Sequence, residues 1–180
     1  MSSVTHDGTE VPVPTGVLQC TSLLARQGSG GTIEYIPDII VNCSVNKGHS
    51  QTDKGGFTLS MKNHVGTMHY RCPSLEEMIG INSSEAILGP AAGPPRQQLC
   101  IVDSLWAAQT GPTSPISHAP GRLSMGVFGP VVDIMVARKI REEVMNITNH
   151  DQEAIRSILA AFGYEESELA DHWIEVNPAA

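Results

Sequence analysis

Aromatic side chains are scarce in this sequence: 4% of 180 residues, against 41% hydrophobic residues in all. A core of that composition has to be built from Ile, Val, Leu, Ala and Met, which suits strands covered by helices. Charged residues are also few, at 17%, and unevenly signed: 11 Lys and Arg against 19 Asp and Glu give a formal charge of −8. That balance repels phosphate backbones and anionic lipid over most of the surface, so neither nucleic acid nor a membrane is expected as a partner. No stretch reaches the roughly 18 apolar residues that a membrane helix needs. Met1 is followed by neither a basic segment nor an apolar one, so no signal peptide is expected and the cytoplasm is the expected location.

Chemical motifs are missing too. Cys20, Cys43, Cys72 and Cys100 lie at wide intervals with no Cys-x-x-Cys pair, which argues against an iron–sulfur cluster or zinc ribbon. Free structural thiols are expected of them, with a disulfide as the alternative. There is no Gly-x-Ser-x-Gly nucleophile elbow, no Gly-x-Gly-x-x-Gly and no P-loop, so neither hydrolase chemistry nor nucleotide binding has a motif to stand on. No cofactor is named by the sequence.

What is present reads as one domain, since the chain is long enough for one well-buried core and short for two. Residues 1–32 mix Thr, Pro, Gly and Ser with short apolar pieces and are expected to form a loosely ordered arm, with a short helix around Leu23. Residues 33–180 are expected to be an α/β domain with a mixed or mostly parallel sheet flanked by helices. The β-branched run from Ile36 to Val45 predicts a buried strand, and Gln97 to Trp106 a second. Phe57, Met61 and Val65 recur at helical spacing up to Gly66, and Ser74-Leu-Glu-Glu77 matches a capping box. Pro130 opens a helix in which Val132, Val136, Ile140 and Val144 share a face, away from Arg138, Lys139, Arg141, Glu142 and Glu143. A helix over 151–162 and a short strand at Trp173–Val176 close the chain.

Between Cys43 and Cys72, Lys47, Lys54, Lys62 and Arg71 face a single acid, Asp53, so the stretch carries +3 in an acidic chain. It also holds His49, His64 and His69, each able to act as base, acid or ligand near neutral pH. One reading is a site for a small anionic molecule: Lys47, His49, Lys62 and Asn63 flank a Gly-rich turn whose amides can also face a phosphate or carboxylate. In a catalytic version His49 shuttles the proton, Lys62 neutralises developing negative charge and Asp103 orients one of them. The rival reading is a metal site of His49, His64 and His69 with Cys43 or Asp53, serving redox chemistry or metallocofactor maturation. Asp103 and Asp133 each have a plainer role open to them, as a turn cap and as a complement to a helix N-terminus.

These segments have a counterpart. Asp38-Ile-Ile-Val-Asn-Cys-Ser-Val-Asn-Lys-Gly-His49 followed by Gly56-Phe-Thr-Leu-Ser-Met-Lys-Asn-His-Val-Gly66 resembles the signature of the family catalogued as domain of unknown function 362: an aspartate, an apolar strand, Lys-x-His, then Thr-x-x-x-Lys-Asn. Leu99-Cys-Ile-Val-Asp103, Gly111-Pro112 and Gly129-Pro-Val-Val-Asp133 resemble that family's later strand-aspartate, Gly-Pro loop and helix start, so the likeness spans about residues 36 to 176. The resemblance implies a bacterial or archaeal type of protein and marks Lys47, His49, Lys62, Asn63, Asp103 and Asp133 as its patterned polar positions. Family members usually carry a further N-terminal α/β portion, and some a ferredoxin module. Neither is in this sequence, so the resemblance implies that part of a shared site is either absent or supplied by a second chain. A third reading is therefore a non-enzymatic subunit of a homo- or hetero-oligomer, its N-terminal portion replaced by a partner chain or by a copy of itself. Some relatives look exported by the twin-arginine route, which makes the periplasm the alternative location. No activity comes with the family.

Overall fold

The structure, a computed structural model, describes residues 2–6, 9–13, 25–27, 33–35, 38–49, 56–64, 97–111, 113–148, 153, 156, 159–160 and 163–176. Its centre is a four-stranded mixed sheet in the order β6-β5-β7-β8, made of β5 (Ile40–Gly48), β6 (Phe57–Thr58), β7 (Gln97–Ala108) and β8 (Arg122–Gly126). The two long strands run parallel, and the short edge strands are antiparallel to them. Helices complete the α/β fold: α1 (Ser60–Asn63) follows β6, and α2 (Gly129–Val136) follows β8.

The strand runs expected from β-branched residues are present with shifted bounds. The first begins at Ile40 rather than Ile36 and runs on to Gly48, because Lys47 and Gly48 pair with Thr58 and Phe57 of the returning chain. That pairing takes Phe57 into a strand, so the helix expected there begins only at Ser60. Between Val45 and Lys47 the parallel register slips: Val45 lies opposite Asp103, whereas Lys47 lies opposite Ala108. β7 therefore carries a bulge of extra residues near its carboxyl end.

Along β5 burial alternates strictly, and it does so against the usual assignment. Asn42, Ser44 and Asn46 are buried beneath the helices, whereas Val41, Cys43 and Val45 lie on the opposite face, exposed. The hydrophobic core is supplied instead by Cys100 and Val102 of β7, by Phe57, Leu59 and Met61, and by α2, whose Val132, Ile134, Met135 and Val136 are all buried.

Past Val136 the helix widens into π-type winding over Ala137–Glu142: the amides of Glu143 and Met145 bond to carbonyls five residues back, Arg138 and Ile140, at 3.2 and 2.9 Å. Each five-residue step moves the buried face on by one position. Val144, expected on the core face, is consequently exposed, and Met145 is buried in its place.

Two short antiparallel ladders fall within or next to the segment expected to be a loose arm: β1 (Ser2–His6) with β2 (Thr9–Val13), and β3 (Ala25–Gln27) with β4 (Ile33–Tyr35). The two-residue Asp7-Gly8 connection between His6 and Thr9 is the sequence signal for such a hairpin. Leu23 and the capping box at Ser74 lie outside the described residues. Trp173–Val176, read as a strand, pairs with no strand among the described residues. No helix among the described residues is long and apolar enough to cross a membrane.

Candidate functional site

The parallel pair presents its carboxyl ends together, and in open α/β sheets ligands gather there. Lys47 and His49 stand at the end of β5, both half-buried, with the His49 amide bonded to the Gly56 carbonyl at 2.9 Å. The end of β7 turns into Gln109, Thr110 and Gly111, the last with φ of 54°. The two strand ends touch: a Cβ on Gly48 would sit 1.8 Å from the Gln109 carbonyl oxygen, so only glycine permits this approach. Hydroxyls surround the turn, with Ser117 Oγ accepting the Gln109 amide at 2.8 Å and lying 2.9 Å from His118 Nδ1, and Thr110 and Ser114 hydroxyls 3.2 Å apart.

Behind these ends lies a cation that sequence reasoning placed on the solvent side of its helix. Arg141 is wholly buried; its guanidinium donates to Asn46 Oδ1 at 2.8 Å, the Ala108 carbonyl at 3.4 Å and the Gln109 carbonyl at 3.0 Å. These are the carbonyls beyond the β7 bulge, so the arginine satisfies acceptors left by the slipped ladder. Asn46 is oriented for it by donating to Ser104 Oγ at 3.1 Å. Its Nε has no hydrogen-bond partner among the described residues, and no carboxylate there pairs with the group. Burial lowers its pKa to about 10, which still leaves it charged at neutral pH.

The other polar candidates are gathered elsewhere. Asp133 is fully buried on α2 and reaches α1, where its carboxylate accepts the Ser60 amide at 2.9 Å, the Met61 amide at 2.8 Å and the Ser60 hydroxyl. It thus clamps the helix that carries Lys62 and Asn63. Asn63 donates to Asn42 Oδ1 at 2.8 Å and to the Cys43 carbonyl at 2.9 Å, fastening α1 to the first half of β5. Lys62 is half-buried in the last turn of α1. From Asn42 to Lys47 is five residues, about 16 Å of strand, so Asn63 and Lys47 occupy different levels of the sheet.

His64 is buried over the start of the strands. Its Nε2 lies 2.6 Å from Gln97 Oε1, and Asn42 Nδ2 donates to that same oxygen at 3.1 Å and to the Ser60 carbonyl at 2.8 Å. With both amide hydrogens of Asn42 so used, Nε2 carries the ring proton and donates to Gln97. Burial lowers the histidine pKa, offset in part by that bond, and keeps the ring neutral. His49, just past the end of β5, is seven residues, about 23 Å of extended chain, from Asn42, so it and His64 do not converge on one ion. His69, Asp53, Lys54 and Arg71 lie outside the described residues, among which no group of three or more His, Cys, Asp or Glu is arranged to hold a metal.

Asp103 accepts the Leu105 amide at 2.8 Å, two residues on, and lies across from Val45 on the face away from the helices. Cys43 and Cys100 are free thiols. Burial, with Asp133 nearby, pushes the Cys100 thiol up to about 12, which excludes it as a nucleophile.

The strand-end residues and the buried network thus form two assemblies: Lys47 and His49 with the 109–118 turn over Arg141, and Asn42, Ser60, Asn63, His64, Gln97 and Asp133 binding α1 to the sheet. Asn42, Asn46 and Gln97 were missed in sequence; the amides set inside otherwise apolar strands are the signal that marks them. No protein-family model, curated protein or solved structure matches the chain.

Proposed function

We propose that the domain binds a small anionic molecule at the carboxyl ends of β5 and β7, with Lys47 and His49 as its side-chain ligands. The observation that carries this reading is Arg141, a buried guanidinium whose described partners are all neutral, set directly behind those ends in a chain of formal charge −8. A buried cation whose described partners are all neutral projects a positive potential to the nearest surface. Lys47 supplies a flexible point charge there, and His49 a group able to donate or to take a proton near neutral pH. The resemblance to domain of unknown function 362 marks the same two positions. It also marks Lys62, Asn63 and Asp133, which here serve the clamp on α1 or stand beside it.

Calorimetric titration of the whole chain with inorganic phosphate, and separately with oxalate, tests this. Saturable binding that falls at least about tenfold in Lys47→Ala and in His49→Ala is expected. Lys62→Ala separates the strand-end site from a wider Lys47, His49, Lys62, Asn63 cluster: the strand-end site keeps its affinity, the wider cluster loses it. An absence of saturable heat with both anions removes the proposal.

A further inference from the structure

A cavity of about 220 Å³ lies between β8, α2 and the segment 163–176. It is at the other end of the sheet from the anion site, since Gly126 in its wall pairs with Cys100 near the start of β7, whereas Lys47 pairs with Ala108 at its close. Gly126 brings α2 close along one side: a Cβ there would sit 2.6 Å from Val132 Cγ2. Gaps of this size are few in a packed domain, and this one has a selective lining. The chain has 3 Phe, 3 Tyr and 2 Trp, and one of each, Phe128, Tyr164 and Trp173, lines this space. The Phe128 and Tyr164 rings stand 5.7 Å apart, tilted by 31°, and Met125 and Met135 add thioethers, which settle against ring edges. No lining side chain is charged. Val127 and Met125, 73% and 63% exposed, stand at the rim and leave a way in.

One polar side chain belongs to this wall. Ser124 lies opposite the fully buried Val102, so it stands on the face of β8 turned toward α2, and it lines the cavity at 4% exposure. Its hydroxyl has no hydrogen-bond partner among the described residues. The other serines buried on this face of the sheet are served: Ser44 donates to the Ile101 carbonyl at 3.4 Å, and Ser104 accepts from Asn46 at 3.1 Å. A buried hydroxyl left unpaired is costly, and a ligand that reaches it recovers that cost. We propose that this cavity binds a small, uncharged, planar molecule of one or two fused rings, a phenol or an indole, held against the aromatic side chains with its single hydrogen-bonding group on Ser124. The uncharged lining excludes an ionic ligand, whose desolvation nothing there offsets. Volume sets the size: an apolar cavity of about 150 Å³ takes benzene, so one about half as large again has room for a second ring. Serine both donates and accepts, so a ring N–H or a phenolic hydroxyl satisfies it equally.

Calorimetric titration of the whole chain with indole, alongside amide chemical shifts, tests this independently of anion binding. Saturable binding with a Kd of about 1 mM or tighter is expected, with shifts gathered at Ser124–Phe128. Ser124→Ala should weaken indole about five- to tenfold and leave benzene unchanged, because only indole carries a group for the hydroxyl. Val131→Trp, which fills the space from a partly buried position on α2, should abolish binding of both while the far-ultraviolet circular dichroism stays that of the wild type. Benzoate, of similar size but charged, should leave the Ser124–Phe128 amides unmoved. An absence of saturable indole binding overturns the proposal. So does a Ser124→Ala variant that treats indole and benzene alike, or benzoate shifting the same amides as strongly as indole.

Discussion

Asp133 Oδ1 accepts the amide of Ser60 at 2.9 Å, joining two helices 73 residues apart in sequence. The carboxylate has no solvent contact to offset its burial, and desolvation pushes its pKa up to about 7 against the bonds from Ser60 and Met61 that favour the charged form. Below that pH the folded chain holds a proton that the unfolded chain releases near 3.8, so the fold loses stability as pH rises from about 4 to 7 and is level above it. Asp133→Asn removes this slope. It also sets an amide donor against the Met61 N–H, at a cost of about 1–3 kcal/mol in urea unfolding.

His64 has the opposite sign. Its pKa is lowered, so folding is favoured while the imidazole is neutral, and stability falls as pH drops below the ordinary value of 6.5. Below 6.5 the two groups therefore act on stability in opposite directions. Urea midpoints measured between about pH 4 and 6.5 should therefore fall with rising pH in His64→Asn, where only the aspartate still titrates.

Arg141 is a structural requirement as well as a source of charge. Arg141→Met keeps the length and loses the donors, leaving Asn46 Oδ1 and the Ala108 and Gln109 carbonyls unsatisfied in the interior. A loss of about 2–4 kcal/mol follows, read as a lowered urea midpoint. Arg141→Lys recovers little of it, because one ammonium cannot span three separated acceptors as the planar fork does.

Gly48→Ala is the smallest change that opens the strand ends. The new methyl meets the Gln109 carbonyl at 1.8 Å, and backbone cannot swing aside as a side chain does, so β5 and β7 must part at their carboxyl ends. The expected cost is about 1–3 kcal/mol, with amide exchange accelerated first at Lys47 and Ala108.

Much of the fold is legible in the residues and some of its chemistry is not. The two long strands announce themselves through Ile39–Val45 and Leu99–Val102, because β-branched and aliphatic runs of that length have few other solutions. The inward side of β5 is hidden, since an alternation of valine and amide is ordinarily read with the valine inside; here Ser60, Gln97, Ser104 and Arg141, distant in sequence, make the amides the buried half. Arg141 itself is hidden by the π-type winding, which rotates the positions after Ala137 and defeats a 3.6-residue period. The histidines share a short stretch of sequence, but an extended strand carries His49 away from the level at which α1 returns His64. Proximity along the chain overstated their proximity in space.

A phosphate titration followed by amide chemical shifts in nitrogen-15-labelled protein goes to the centre of the account. Saturable shifts confined to Lys47–His49 and Gln109–His118, and abolished by Lys47→Ala, are the predicted result. Shifts spread along exposed lysines and arginines without saturation, or gathered instead around Asn63 and His64, would contradict it.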